Sequence, residues 1–186
     1  GRIWRAPEPI TSETWETAEP NLGSSFRSIF VVWRDHREAT SQIYVRRFDE
    51  TIGGDDFRLT SPGKARRPSV NVLDRKIIVA WENRSNDIDP ANIFTISSFD
   101  LGETWLVSQQ VSQNTAESIL PQPNFHSDEM GIFWQDGSSG KWEIHFSLLS
   151  DGKREETRFT QSNRSAIQPS SWLSHGQIHL TWVNRE

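Results

Sequence analysis

Four short polar residues recur at one place in this chain: Asp35, Asn83, Asp136 and Asn184 each stand two residues after a tryptophan. Two carboxylates can divide general acid and general base work between them, so Asp35 and Asp136 are the candidate catalytic pair. Repetition in four copies also suits structure, because an Asp or Asn side chain accepts backbone N–H groups and fixes a turn. Most of the 20 basic residues are arginine, whose planar fork suits carboxylate or phosphate; a compositional bias of the source genome would give the same count. Tyr44 is the single tyrosine, and the histidines are His36, His126, His145, His175 and His179. His175 and His179 would form a metal face on a helix, but they flank Gly176 in an alternating, strand-like context. No metal ligand set and no cofactor is expected. Trp15, Trp142 and Trp172 fall outside the recurring tryptophan positions and are candidates for stacking on a sugar ring.

The bulk properties narrow the classes. The 186 residues can bury a sizeable core as one domain or one array. A net charge of −5 and a pI near 5.6 argue against nucleic-acid binding. No apolar run approaches the roughly 18 residues of a membrane span, so no membrane partner is expected. Gly1-Arg2-Ile3-Trp4 leads at once into structured-looking sequence, and no signal peptide is expected. The chain has no cysteine, which rules out disulfides and Cys-ligated metals and leaves the compartment open. The sequons at Asn83 and Asn163 read as incidental.

These residues must be positioned by a repeat. Pro20, Pro68, Pro121 and Pro169 are each followed thirteen residues later by a tryptophan: Trp33, Trp81, Trp134 and Trp182. Each of these tryptophans ends an alternating or apolar run and is expected in the core. A second β run follows in three copies, Ile43–Phe48, Ile93–Phe99 and Ile144–Leu149. Third runs follow at Phe57–Thr60, Trp105–Val111 and Thr157–Thr160, and the stretch after each proline supplies one strand more. Four antiparallel strands per roughly 50 residues is the pattern of a propeller blade.

One turn carries a sharper pattern. Ser98, Asp100, Gly102, Thr104 and Trp105 spell S-x-D-x-G-x-T-W between Ile93–Ser97 and Leu106–Val111. Asp can bind the turn's own N–H groups, Gly tolerates positive φ, and Trp can plug against the next strand. The pattern resembles the Asp-box (BNR) repeat of sialidase-like β-propellers. The fold expected is therefore an all-β propeller of four-stranded antiparallel blades. Its repeats run approximately over 18–65, 66–118, 119–166, and 167–186 joined with 1–17. Gly1-Arg2-Ile3-Trp4 matches Gly102-Glu103-Thr104-Trp105, so the last blade is expected to be split between the termini. Three arrangements are open: a closed ring of four, a piece of a larger ring, or two copies assembled through the incomplete blade.

The resemblance implies that Asp-box turns lie opposite the ligand face. It places Arg37, Arg66, Arg67, Arg84 and Arg185 on one rim, with Trp15 and Trp172 near it as exposed aromatics. An arginine rim suits a glycan carboxylate or another anionic ligand, while Arg37 and Arg84 can instead pair with Asp35, Glu38, Glu82 or Asp87. Sialidases use a tyrosine nucleophile with a partner Glu. Tyr44 falls on an outer-type strand and the F/Y-R-I-P motif is missing, so an intact exo-sialidase site is not expected. The expected function is a non-catalytic recognition module for a glycan or other anionic ligand. The alternatives are a glycoside hydrolase, as a fragment or an oligomer-completed enzyme, and a structural or protein-binding repeat. The family resemblance implies a secreted or cell-surface setting.

Overall fold

A computed structural model describes residues 6–11, 15–25, 27–49, 53–61, 63–113, 115–126, 129–150, 153–174 and 177–186. It is all-β. The first sheet holds β1 (Thr17–Ser24), β2 (Ser28–Asp35), β3 (Gln42–Asp49) and β4 (Phe57–Arg58). The second holds β5 (Lys64–Leu73), β6 (Lys76–Arg84), β7 (Asn92–Ser98) and β8 (Gln109–Gln110). The third holds β9 (Ser118–His126), β10 (Glu129–Asp136), β11 (Glu143–Ser150) and β12 (Lys153–Arg158), and the last holds β13 (Ser165–Ser174) and β14 (Gln177–Arg185). Each sheet is an antiparallel meander in sequence order, which is the topology of a propeller blade.

The blades stack through interleaved apolar faces. Phe30, Val32, Ile43 and Val45 of the first meet Val70, Ile77, Val79 and Trp81 of the second. On the other face of β6 and β7, Ile78, Ala80 and Ile93 meet Phe125, Ile132 and Trp134. Phe133 and Ile144 then meet Ala166, with Ile178 and Leu180 alongside. Strand alternation makes this possible, since successive residues of one strand serve opposite neighbours. The first strands β1, β5, β9 and β13 lie side by side as the inner wall. Among the described residues the ring does not close.

Trp33, Trp81 and Trp134 are buried, each opposite a flat ring on the next strand: Tyr44, Phe94 and His145 respectively. Trp182 departs from the expected core position and is 38% exposed. The physical reason is that β14 pairs only with β13, so among the described residues no third strand lays a ring beside it. The proposed use of residues 1–4 to complete this blade, and the turn at Asp151-Gly152, lie outside the described residues.

The recurring prolines sit inside the first strands, not before them. The residue preceding each one is left-handed: Glu19 (φ 56), Arg67 (φ 47), Leu120 (φ 55) and Gln168 (φ 55). The pairing register slips at the same place in all four sheets. A bulge of this kind re-aims side chains and strengthens local twist. A non-glycine residue there costs about 1–3 kcal/mol and persists only where its surroundings hold it. For three of the four, a side chain of the preceding blade does so. Glu19 Oε2 accepts the N–H of Arg67 at 2.6 Å, Glu82 Oε1 that of Leu120 at 2.9 Å, and Gln135 Oε1 that of Gln168 at 2.9 Å.

Candidate functional site

The ends of the blades differ in character. The Ser98–Trp105 turn lies at the end that carries the β5–β6 hairpin, where Leu101 N–H reaches Arg75 O at 3.0 Å. Its Asp100 accepts from Thr104 N–H at 2.9 Å, from the Thr104 hydroxyl at 2.5 Å and from Ser98 Oγ at 2.8 Å. Those bonds, led by Thr104, hold the Asp100 carboxyl down to about 2. Gly102 takes φ 83 and Trp105 packs against the cluster shared by the first two blades. Every partner of Asp100 is local, so this end is a structural turn.

The opposite end carries the β2–β3 and β6–β7 loops and opens a polar cleft of about 520 Å3 between the first and second blades. Arg34 and His36 enter it from the end of β2, Lys64 and Arg66 from the start of β5, and Arg84 from the end of β6, with Thr40, Ser41 and Asp87 completing the wall. Lys64 pairs with Asp87. Arg34 reaches Glu16 at 2.9 Å and lies 3.4 Å from Glu19. Arg84 is held by Glu117 at 2.7 Å and donates to Asp89 O at 2.6 Å. The Nε–H groups of Arg34 and Arg84 are buried and make no hydrogen bond. Lys64, Arg34 and Arg84 thus carry carboxylate partners, and Arg66 is the cation of the wall left to meet an anion.

Between the second and third blades sits a group that the sequence offers only as a salt-bridge partner. Glu82, directly after Trp81, is wholly buried. Both its oxygens lie 3.1 Å from Arg67 Nη1, and Oε1 also caps the Leu120 N–H. Burial raises its pKa, and the bonds from Leu120 and Arg67 offset this only in part. It was legible as one of the residues following the anchor tryptophans, Arg34, Glu82, Gln135 and Val183, of which three reach the bulge row.

The structure brings Arg66 and Arg84 together in the cleft and adds Arg34 and Lys64, while Arg67 turns onto Glu82. It leaves Arg37 and Arg185 apart. Arg37 turns onto its own sheet, 4.2 Å over the Tyr44 ring, bridging Asp35 at 2.7 Å and Asp56 at 2.8 Å. Arg185 is exposed at the end of β14, two blades away from the cleft. Trp15 is exposed just before β1, beside Glu16, whose carbonyl accepts His36 N–H. Trp172 is also exposed, but the Ser174↔Gln177 register puts it near the β13–β14 hairpin, so its expected place by the ligand-face loops is corrected. There it stacks on His179, with ring centroids 5.0 Å apart.

Asp35 and Asp136 are engaged in the fold. Asp35 accepts from Trp33 Nε1 at 3.0 Å, from Arg37 N–H at 2.8 Å and from Arg37 Nη2. Asp136 accepts from Trp134 Nε1 at 3.1 Å, Ser138 N–H at 2.9 Å, and the Ser118 and Ser138 hydroxyls. Burial pushes both carboxyls up, but these bonds outweigh it and hold both below the ordinary value. Trp182 repeats the contact with Asn184 at 3.1 Å. Tyr44 donates to Glu38 at 2.8 Å and is pushed up to about 12 by burial and by that bond. Its partner Glu38 is itself held low by Arg58 and by Tyr44. A phenol that keeps its proton beside a weakened base is poorly set up as a nucleophile.

No protein-family model matches the sequence, and no curated protein does. Solved structures do match by fold. The α-L-arabinofuranosidase Arb93A from Fusarium graminearum superposes with a TM-score of 0.65 at 11% identity, covering 85% of this chain and 54% of its own. The subtype N10 neuraminidase-like protein of A/little yellow-shouldered bat/Guatemala/060/2010 gives 0.63 at 13% identity, covering 91% and 52%. An α-L-arabinofuranosidase from Lactobacillus brevis gives 0.63 at 11% identity, covering 92% and 64%. The chain spans roughly half to two thirds of the length of these three structures. At such low identity the likeness is one of fold, and the fold is that of glycoside hydrolase and neuraminidase-like propellers.

Proposed function

We propose that this chain is a non-catalytic recognition module of the Asp-box propeller type that binds an anionic glycan, or another anionic ligand, in the cleft between its first two blades. The observation that carries the reading is Arg66 in the wall of the cleft, flanked by Arg34, Lys64 and Arg84, whose charges are met by Glu16, Glu19, Asp87 and Glu117. Arg66 is the natural anchor, since it lines the cleft and no carboxylate forms an ion pair with it among the described residues. The hydroxyls of Thr40 and Ser41 supply the neutral hydrogen bonds that a sugar needs. The neighbours named above support a glycan-related role. The bonds that engage Asp35 and Asp136 support a non-catalytic one.

The test is binding of sialylated and sulfated oligosaccharides at low and high salt, by array and then by calorimetry. Arg66→Ala is expected to weaken binding about tenfold, the loss of one charge-assisted contact. No binding at either salt concentration removes the proposal.

A hydrolase fragment is the second reading, and Glu82 is the observation that favours it. A buried carboxylate whose pKa is raised can hold a proton for general-acid work. Turnover of a fluorogenic glycoside, lost in Glu82→Gln, would replace the first reading with this one. For the fold, our reading keeps four repeats with the last blade divided between the termini. The open edge of β14 suits pairing with a second copy of the chain.

A further inference from the structure

Three blades offer three versions of one surface, and comparing them exposes a charge imbalance. In the first blade, Asp35 and Asp56 are bridged by the Arg37 guanidinium, and Arg46 adds a second cation 2.6 Å from Asp56. The pairings Trp33↔Tyr44↔Arg58 and Trp134↔His145↔Arg158 set the two sheets in register. In that register Asp136 replaces Asp35 and Glu156 replaces Asp56. His145 stands for Tyr44, while Ser138 and Ser147 stand for Arg37 and Arg46. Both carboxylates are kept and both arginines are gone. The second blade resolves the matter differently, with Asn83, Phe94 and Ser108 in these places and no charge at all.

We infer that Asp136, His145 and Glu156 form a divalent-cation site, with zinc the ion their donors suit. One ligand atom from each lies within 4.8 Å of the others. An imidazole nitrogen with two carboxylate oxygens is a zinc donor set that leaves a fourth position for water. Tetrahedral ligands at zinc are about 3.4 Å apart, so the group must close by about 1 Å. Glu156 can make that movement, since it is exposed and lies on the outer strand β12. Its 2.7 Å contact with His145 Nδ1 opens to admit the ion. Asp136 keeps its Trp134 and Ser138 N–H bonds and offers the ion a lone pair now taken by a rotatable hydroxyl of Ser118 or Ser138.

A second observation points the same way. Glu143 Oε2 and Ser147 Oγ are buried with no hydrogen-bond partner, and strand alternation puts both on the His145 face of β11. Glu143 is only 1% exposed and is opposite Asp136 across the pair, with its other oxygen held by Arg158. Buried polar atoms left without partners are uncommon, and a bound ion with its water would supply what they lack.

The repeat also supplies the controls. Equilibrium dialysis of the untagged chain against Zn2+ is expected to find one tight equivalent. Glu156→Gln and His145→Phe, the latter borrowing the ring of the second blade, are each expected to weaken it about tenfold or more. Ser138→Arg restores the first blade's guanidinium and is expected to abolish zinc binding while leaving the thermal midpoint of the metal-free chain unchanged or higher. Circular dichroism verifies that each variant is folded. No tight equivalent in the wild type overturns the site, and so does an equivalent that survives all three folded variants.

Discussion

The anchor tryptophans are one residue type in four settings, and their energetics should diverge accordingly. Trp134 is fully buried, with Nε1 on Asp136, whereas Trp182 is partly open to solvent. Trp134→Ala should destabilise by about 3–5 kcal/mol, as a large buried aromatic does. Trp182→Ala should cost no more than about half of that, because much of its apolar area already meets water. Urea denaturation of the two variants checks the contrast; equal losses would mean that the fourth blade is as well covered as the third. Asp100 gives a second prediction at this scale. Its carboxyl is held down to about 2, so its contribution is present above the unfolded value near 3.9 and is lost as pH falls through about 2. Asp100→Asn should therefore flatten the fall of the urea midpoint between those two pH values, where the wild type declines. The turn motif was legible from types and spacing because all its bonds are local. The second role of the recurring Asp, taking the indole N–H, was not legible, because it depends on where the tryptophan ring lies.

At the scale of the element, the inner strand owes its shape to the bulge before each proline. Sequence periodicity found the prolines but read them as strand boundaries. A residue before proline ordinarily adopts an extended conformation. In three of the four sheets an oxygen from the preceding blade meets the N–H of the left-handed residue, a contact invisible along one chain segment. For the same reason the sequence offers Glu82 only as a salt-bridge partner and does not single out Arg34. The short outer strands β4 and β8 were drawn too long, since apolar spacing continues past the two residues that pair. Glu82 supplies the test. Glu82→Ala leaves the Leu120 N–H and Arg67 without their acceptor and should cost about 3 kcal/mol. Glu82→Gln keeps an acceptor, as Gln135 does for Gln168, and should cost below about 1 kcal/mol at neutral pH. The sign of its pH dependence is fixed by burial. A carboxyl with a raised folded pKa favours the folded state at low pH and loses that contribution as pH rises. The Gln variant should thus gain on the wild type as pH climbs above about 4.3, the ordinary Glu value. Parallel stability curves for the two proteins would remove burial as the governing term.

For the whole molecule, the governing fact is a row of blades whose ring is open among the described residues. Each inner interface is covered on both sides; on the outer face of the first blade Trp33 is buried beside Ile10, while the last blade is open along β14 among the described residues. On the first blade, Trp33 shares a cavity of about 170 Å3 with Ile10, Thr11 and Val31, where another blade would otherwise pack. On the last, β14 has an unpaired edge among the described residues, with Trp182 and Val183 exposed along it. An edge strand with apolar side chains is a template for another strand. Head-to-tail contact between two copies would fill the cavity beside Trp33 and lay a strand along the β14 edge that is unpaired among the described residues. The expected result is therefore a light-scattering mass above 21.4 kDa that rises with concentration. Val183→Lys places a charge on that edge, the device by which edge strands resist pairing, and should return the mass toward the monomer without lowering the thermal midpoint of the dilute protein. Salt separates this association from ligand binding in the cleft. Apolar edge pairing should persist at high ionic strength, whereas contacts to the exposed arginines weaken as the Debye length shortens to about 3 Å at 1 M. A mass fixed at the monomer value across the whole concentration range would mean that the outer faces are already satisfied within one chain.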